Sequence, residues 1–267
     1  MKRFVKSDEA VAAIREGGKL LGEILEKIGA AVRVGATALQ MDELAQHLIR
    51  DCGGRPSFLG YSIGPRYPAY PAALCVSVND EVVHGIPKAS TVFADGDIVG
   101  LDIGMEWPFK KGTTGFYTDT AMSVGVGQVS ERDQKLMDRT RAALFAGIAA
   151  ARGGADIRDV SRAIEGSLTP FGYGIVEDLV GHGVGYGVHE DPQVPNYVYR
   201  GAPSIPLVPQ MVLALEPMVN HGGRAVVTDR DHWTIKTADG SRSAHFEHTI
   251  IITTAGAEIV TLRPRET

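Results

Sequence analysis

Two pairs of segments place apolar residues at helical spacing, and the stretches after each pair alternate like strands. Between residues 7 and 33, Val11, Ile14, Leu21, Ile24, Leu25, Ile28 and Val32 form one stripe, with Ser7 placed to cap it. Thr37-Ala38-Leu39-Gln40 is a capping-box pattern opening a second helix, which Gly53-Gly54 stops. Ser130-Glu131-Arg132-Asp133 starts a long helix to about Arg152, and Asp156 starts a shorter one that ends before Pro170 or Gly172. Short strand-like runs fill residues 55–125 and return from about 174 to the end. The order is helix, helix, strands, twice over. Each second helix has a similar entry, Gly35-Ala36-Thr37 in one half and Gly154-Ala155-Asp156 in the other. This pattern predicts an α+β fold with a mostly antiparallel sheet. We expect one domain over 1–267, with internal halves of about 7–127 and 128–262 related by duplication.

Four carboxylates interrupt the apolar runs. Asp102 lies in Ile98-Val99-Gly100-Leu101-Asp102-Ile103 and Asp119 in Phe116-Tyr117-Thr118-Asp119-Thr120-Ala121-Met122. Glu216 ends Met211-Val212-Leu213-Ala214-Leu215-Glu216, and Glu247 sits in Ala244-His245-Phe246-Glu247-His248-Thr249-Ile250. A carboxylate in a buried strand costs several kcal/mol unless a cation or good hydrogen bonds compensate it. No comparable set of Lys or Arg accompanies these four, so the pattern asks for a metal. Strand alternation puts Glu247 on one face with His245 and Thr249, and a hairpin through Lys110-Lys111-Gly112 lets Asp102 and Asp119 face each other. His182, in Gly181-His182-Gly183-Val184-Gly185, joins them as a nitrogen donor, although this glycine-rich segment also reads as a flexible loop. Two aspartates, two glutamates and a histidine exceed what one structural zinc uses. Bridging carboxylates of this kind hold two divalent ions roughly 3.5–4 Å apart and activate water.

Bulk composition narrows the classes further. With 267 residues and 44% hydrophobic content, the chain can bury a core without staples. A net charge of −5 argues against a nucleic-acid surface, and the two cysteines suit a reducing compartment. The N-terminus meets charge at Lys2-Arg3 before any apolar signal region forms, and no apolar stretch approaches the roughly 20 residues of a membrane span. We expect a soluble, cytoplasmic protein. Gly60-Tyr61-Ser62-Ile63-Gly64 matches the nucleophile-elbow pattern, but Pro65, Pro68 and Pro71 prevent the helix that must follow it. The zinc-protease His-Glu-x-x-His pattern is absent.

Asn79-Asp80-Glu81-Val82-Val83-His84-Gly85-Ile86-Pro87, Gly181-His182-Gly183-Val184-Gly185, His189-Glu190-Asp191-Pro192, Glu216-Pro217-Met218 and Phe246-Glu247-His248-Thr249 together resemble the type I methionine aminopeptidases, over about Ser7 to Leu262. The resemblance implies the pita-bread fold, two pseudo-symmetric halves around a dinuclear centre. It implies that Asp119 and Glu247 bridge two divalent ions (Mn, Fe, Co or Zn), that Asp102 completes one shell, and that His182 and Glu216 complete the other. It further implies that His84 and His189 contact the substrate, and that a metal-bridging hydroxide attacks the first peptide bond while Glu216 relays the proton. The substrates it implies are peptides and nascent chains with N-terminal methionine and a small second residue. We also expect a monomer, with at most transient ribosome contact.

By position, the resemblance places Phe58, Tyr61, Tyr70, Cys75 and Trp233 around the methionine pocket, beside an insertion at Ser62–Ala69, with Val188 where the family often carries an aromatic. The same fold serves Xaa-Pro aminopeptidases and prolidases, which generally carry an extra N-terminal domain. The 31 positions between Glu216 and Glu247 (247 − 216) leave no room for the helical insertion of the type II enzymes. A catalytically dead pita-bread protein that binds peptides is a third reading, and it is expected to have lost ligands that this chain retains.

Overall fold

The computed structural model describes residues 2–65 and 67–266; Met1 of the charged N-terminus and Arg66 of the expected insertion lie outside the described residues. Four α-helices form where the caps predict: α1 (Asp8–Ala31), α2 (Ala38–Asp51), α3 (Glu131–Ala150) and α4 (Ile157–Leu168). Ser7 caps α1 by accepting from the Ala10 amide, Ser130 caps α3 by accepting from Asp133, and both short helices open on complete capping boxes, Thr37 with Gln40 and Asp156 with Asp159.

The two helix pairs are entered by matching hydrogen bonds. Gly35 N–H donates to Phe93 O and Phe93 N–H to Ala36 O; Gly154 N–H donates to Leu207 O and Leu207 N–H to Ala155 O. Gly35 and Gly154 both take positive φ, +82° and +87°, which glycine adopts without a Cβ penalty.

A nine-stranded sheet runs through both halves, and every pairing in it is antiparallel among the described residues. Its centre is the hairpin of Ile98–Trp107 and Phe116–Gly125, joined on one side to Leu74–Val78 and on the other to Glu247–Ile252, Val212–Leu215 and Gly181–Gly183. Helices α1 and α2 cover the first half, where Leu21, Leu25 and Ile28 pack against Leu101, Ile103 and Met105. Helices α3 and α4 cover the second, where Leu136, Leu144 and Ile164 pack against Leu213 and Ile250. Alternation along Ile98–Trp107 therefore sends Leu101 and Ile103 to the helices and Asp102 to the opposite face.

Two strand expectations are corrected. Asp102 and Asp119 are not directly opposed: Asp102 pairs with Ala121 and Gly104 with Asp119, so the aspartates are diagonal neighbours on one face. The run around Glu247 is not one strand. Ser243–His245 pairs with Met218–Asn220 in a separate three-stranded sheet, and the chain breaks at Phe246 before Glu247–Ile252 joins the large sheet. Phe246, only 6% exposed, turns into the apolar cluster under α3, and that burial accounts for the break.

Candidate metal centre and substrate cavity

Register gathers the site. Paired residues in neighbouring antiparallel strands share a face, as do residues two apart within a strand. Cys75 pairs with Asp102, Asp102 with Ala121, and Ala121 with Glu247; two residues beyond Glu247, Thr249 pairs with Ala214, which in turn pairs with His182. Asp119 lies two before Ala121 and Glu216 two after Ala214. Five strands thus deliver Asp102, Asp119, His182, Glu216 and Glu247 to one surface.

Gly181-His182-Gly183 is a strand rather than a loop. A Cβ at Gly181 would stand 2.4 Å from Ala214 O, and one at Gly183 would stand 2.3 Å from Asp191 O, so the glycines let neighbouring backbones close around His182. The His182 Nδ1–H donates to Gly183 O at 2.9 Å, since a carbonyl only accepts. This leaves the Nε2 lone pair facing Glu216 Oε1 at 3.4 Å. Burial, with His189 adding to it, pushes His182 down to about 3 and keeps the imidazole neutral.

The carboxylates shift the other way. Burial raises Asp102 to about 6 and Glu216 to about 8. It drives Asp119 and Glu247 well above the usual range, with repulsion from the neighbouring acids reinforcing it. Among the described residues, the buried Asp102 Oδ1 and Asp119 Oδ1 have no hydrogen-bond partner. Three donor groups have ligand atoms within 4.8 Å of one another: Asp102, Asp119 and Glu247; His182, Glu216 and Glu247; and Asp119, His182 and His189. Facing lone pairs and orphaned carboxylate oxygens that recur in overlapping triads fit divalent cations.

A fifth acid tests this logic. Glu106, which sequence reasoning passed over, is 1% exposed on the same hairpin. Arg55 Nε donates to its Oε2 at 2.7 Å and the Gly115 amide to its Oε1 at 2.8 Å, so Glu106 is compensated by protein alone. Among the described residues, no lysine or arginine forms a hydrogen bond or ion pair with any of the four site acids, and Arg263 reaches Glu247 only at a distance.

The acids form the floor of a cavity of about 220 Å³, whose lining contains every candidate residue: Asp102, Asp119, His182, Glu216 and Glu247 below, His84 and His189 at the sides, and Phe58, Tyr61, Tyr70, Cys75 and Trp233 as an apolar wall. That volume is below the roughly 300–1,000 Å³ of drug-sized sites and suits a single residue side chain. Ile63 also lines the cavity and was not foreseen; it comes from the Ser62–Ala69 insertion, where no periodicity marks it. The insertion is tied to the wall by Trp233 Nε1–H, which donates to Pro68 O at 2.9 Å. Val188 packs into the same apolar cluster.

His84 takes φ +60°, a left-handed conformation that costs a non-glycine residue about 1–2 kcal/mol and collects at functional sites. The following Gly85 holds it there: its amide donates to Ser77 Oγ, its carbonyl accepts from Tyr70 at 2.8 Å, and a Cβ would meet Val76 O at 2.2 Å. Burial, with His189 and His245 adding, brings His84 to about 4, so it stays neutral. At the cavity mouth, His189 Nδ1 and the Tyr61 hydroxyl form a 2.8 Å hydrogen bond.

Comparison with known proteins agrees with this geometry. Residues 12–254 match the model of metallopeptidase family M24. The chain is 40% identical over 259 residues to the methionine aminopeptidase of Clostridium acetobutylicum, covering 97% of this chain and 98% of that protein. It superposes on the crystal structure of methionine aminopeptidase from Thermotoga maritima with TM-score 0.89 at 39% identity, covering 97% and 99% of the two chains. The prolidase of Pyrococcus horikoshii shares the fold alone, with TM-score 0.76 at 19% identity, 99% of this chain and 65% of that one.

Proposed function

This chain belongs to metallopeptidase family M24, and from that premise we propose that it hydrolyses the first peptide bond of chains that begin with methionine. The fold is the pita-bread fold. The observation that carries the reading is one cavity that combines a residue-sized apolar wall with a cation-binding carboxylate floor.

Asp102, Asp119, His182, Glu216 and Glu247 would hold two divalent ions (Mn, Fe, Co or Zn), with Asp119 and Glu247 shared between them; Glu247 stands in two of the donor triads. Such ions supply water activation and carbonyl polarisation. The methionine side chain enters between Phe58, Tyr61, Tyr70, Cys75 and Trp233, and the burial of all but Tyr61 excludes water from it. The substrate's α-amine lies by Asp102, so a preceding residue has no room and only the first residue is removed. His84 and His189 donate N–H bonds to the scissile carbonyl as its oxygen gains charge, and being neutral, His84 brings no competing cation. The Glu216 carboxylate takes the proton of the attacking water and hands it to the departing amine as the C–N bond breaks. We place this work on nascent chains in the cytoplasm, performed by a monomer with at most transient ribosome contact; two free cysteines support a reducing compartment.

The test is mass spectrometry of a mixture of Met-Ala, Met-Lys, Leu-Ala and Ala-Pro peptides after incubation with Mn- or Co-loaded protein. Loss of methionine from Met-Ala alone supports the reading and its small-second-residue preference. Cleavage of Ala-Pro would move the chain to the Xaa-Pro enzymes, and no cleavage would leave a peptide-binding protein.

A further inference from the structure

One buried histidine beside the carboxylate floor has no part in the reaction described above. His245 ends the strand Ser243–His245 immediately before the break at Phe246, and it is 3% exposed. Its backbone is clamped by a single side chain: His245 N–H donates to Ser123 Oγ at 2.9 Å, and that hydroxyl donates back to His245 O at 3.0 Å. The backbone that carries the ring is therefore fixed, yet among the described residues its buried Nε2 has no hydrogen-bond partner. The acceptor facing it is Glu216 Oε2, at 3.6 Å.

Glu216 thus lies between two imidazoles, with Oε1 toward His182 and Oε2 toward His245. The two rings are not equivalent. The Gly183 carbonyl fixes the proton of His182 on Nδ1 and turns its Nε2 lone pair to the site. His245 belongs to none of the three groups whose donor atoms lie within 4.8 Å of one another. It is set back from the ions by one carboxylate, where a donor is useful and a ligand is not. A buried imidazole nitrogen left unpaired forfeits its hydration without replacement, so closing the 3.6 Å gap is favourable.

We propose that His245 is a positioning residue of the metal centre: its Nε2–H donates to Glu216 Oε2, fixing the orientation of the carboxyl group and leaving Oε1 to face the ion. This rests on the reading of Glu216 as a ligand given above. Partners of this kind orient a ligand before the ion arrives, and their loss weakens metal affinity about 10–100-fold.

The experiment compares Mn²⁺ and Co²⁺ affinity, by competition with a chelating fluorophore, in the full chain and in its H245Q and H245L variants. Alongside it, the tautomer of His245 is read by ¹⁵N–¹H correlation in Zn²⁺-loaded, histidine-labelled protein. The expected result is at least about tenfold weaker binding in H245L, binding within about threefold of the parent in H245Q because its amide can donate, and a His245 protonated on Nε2. A merely space-filling role would weaken both variants alike. Parent-like affinity in H245L, equal losses in the two variants, or a metal-bound Nε2 at His245 would each overturn the proposal. The tautomer decides alone if H245L does not fold. A parent protein that binds neither ion would instead sink the metal reading, and this proposal with it.

Discussion

Thr249→Val removes one oxygen and almost no volume, and it separates the sheet that carries the site from the side chains that fill it. The backbone ladder between Phe116–Gly125 and Glu247–Ile252 stops at the pair His248–Thr120. One residue on, the Thr249 hydroxyl takes over both backbone groups of Asp119, accepting from its N–H at 3.0 Å and donating to its C=O at 2.7 Å. Thr249 is fully buried and Asp119 is 3% exposed, so no solvent replaces the hydroxyl. Valine keeps the shape and leaves two buried backbone groups unpaired, at about 1–3 kcal/mol each. The added methyl returns up to about 0.8 kcal/mol. The expected loss is about 1–5 kcal/mol in urea unfolding of the metal-free protein, with an unchanged slope. Because Asp119 is the residue released, Mn²⁺ binding weakens as well. A loss below about 1 kcal/mol would refute the claim that this hydroxyl fixes Asp119.

Three further outcomes follow from the same structure. In chelator, the protein loses stability as pH rises from about 6.5 to 8: the folded Glu216 keeps its proton to about 8 while the unfolded chain has lost it, so Glu216 alone contributes a slope near −1.4 kcal/mol per pH unit and about 2 kcal/mol over the window, to which the raised Asp119 and Glu247 add in the same direction; urea midpoints across that range should fall, and saturating Zn²⁺ should flatten them. Arg263→Leu strips the buried cation that donates to Glu266 Oε1 at 2.8 Å and to Ala121 O at 3.2 Å, and urea unfolding should show a loss of about 3–5 kcal/mol. Tyr61→Phe removes the partner of His189 Nδ1, and steady-state kinetics should show kcat about tenfold lower with stability within about 1 kcal/mol of the parent.

What could be read from the chain, and what could not, divides along the range of the forces involved. The four helices were legible to within a residue or two because their caps are local: Ser7, Thr37, Ser130 and Asp156 each bond an amide two or three residues away. The site acids were legible because a charge in an apolar strand must be compensated somewhere. The same argument missed Glu106, whose compensating Arg55 lies 51 residues away. Strand register was out of reach for a related reason. The diagonal placement of Asp102 and Asp119, and the break at Phe246, depend on packing between distant segments that no single run encodes. Ile63 was hidden altogether, in a proline-rich insertion whose path is set by contacts such as that of Trp233 with Pro68.

The central claim is that the carboxylate floor holds divalent ions which make the cavity a hydrolase for N-terminal methionine. Its most direct test is to strip the protein with chelator, add back Mn²⁺ or Co²⁺ in known ratio, and follow free methionine released from a Met-Ala peptide. The account predicts no release from the stripped protein, release that grows with added ion and then saturates, and none at any ratio when Asp119 is changed to Asn. Methionine release that persists without metal, or survives Asp119→Asn, would contradict it.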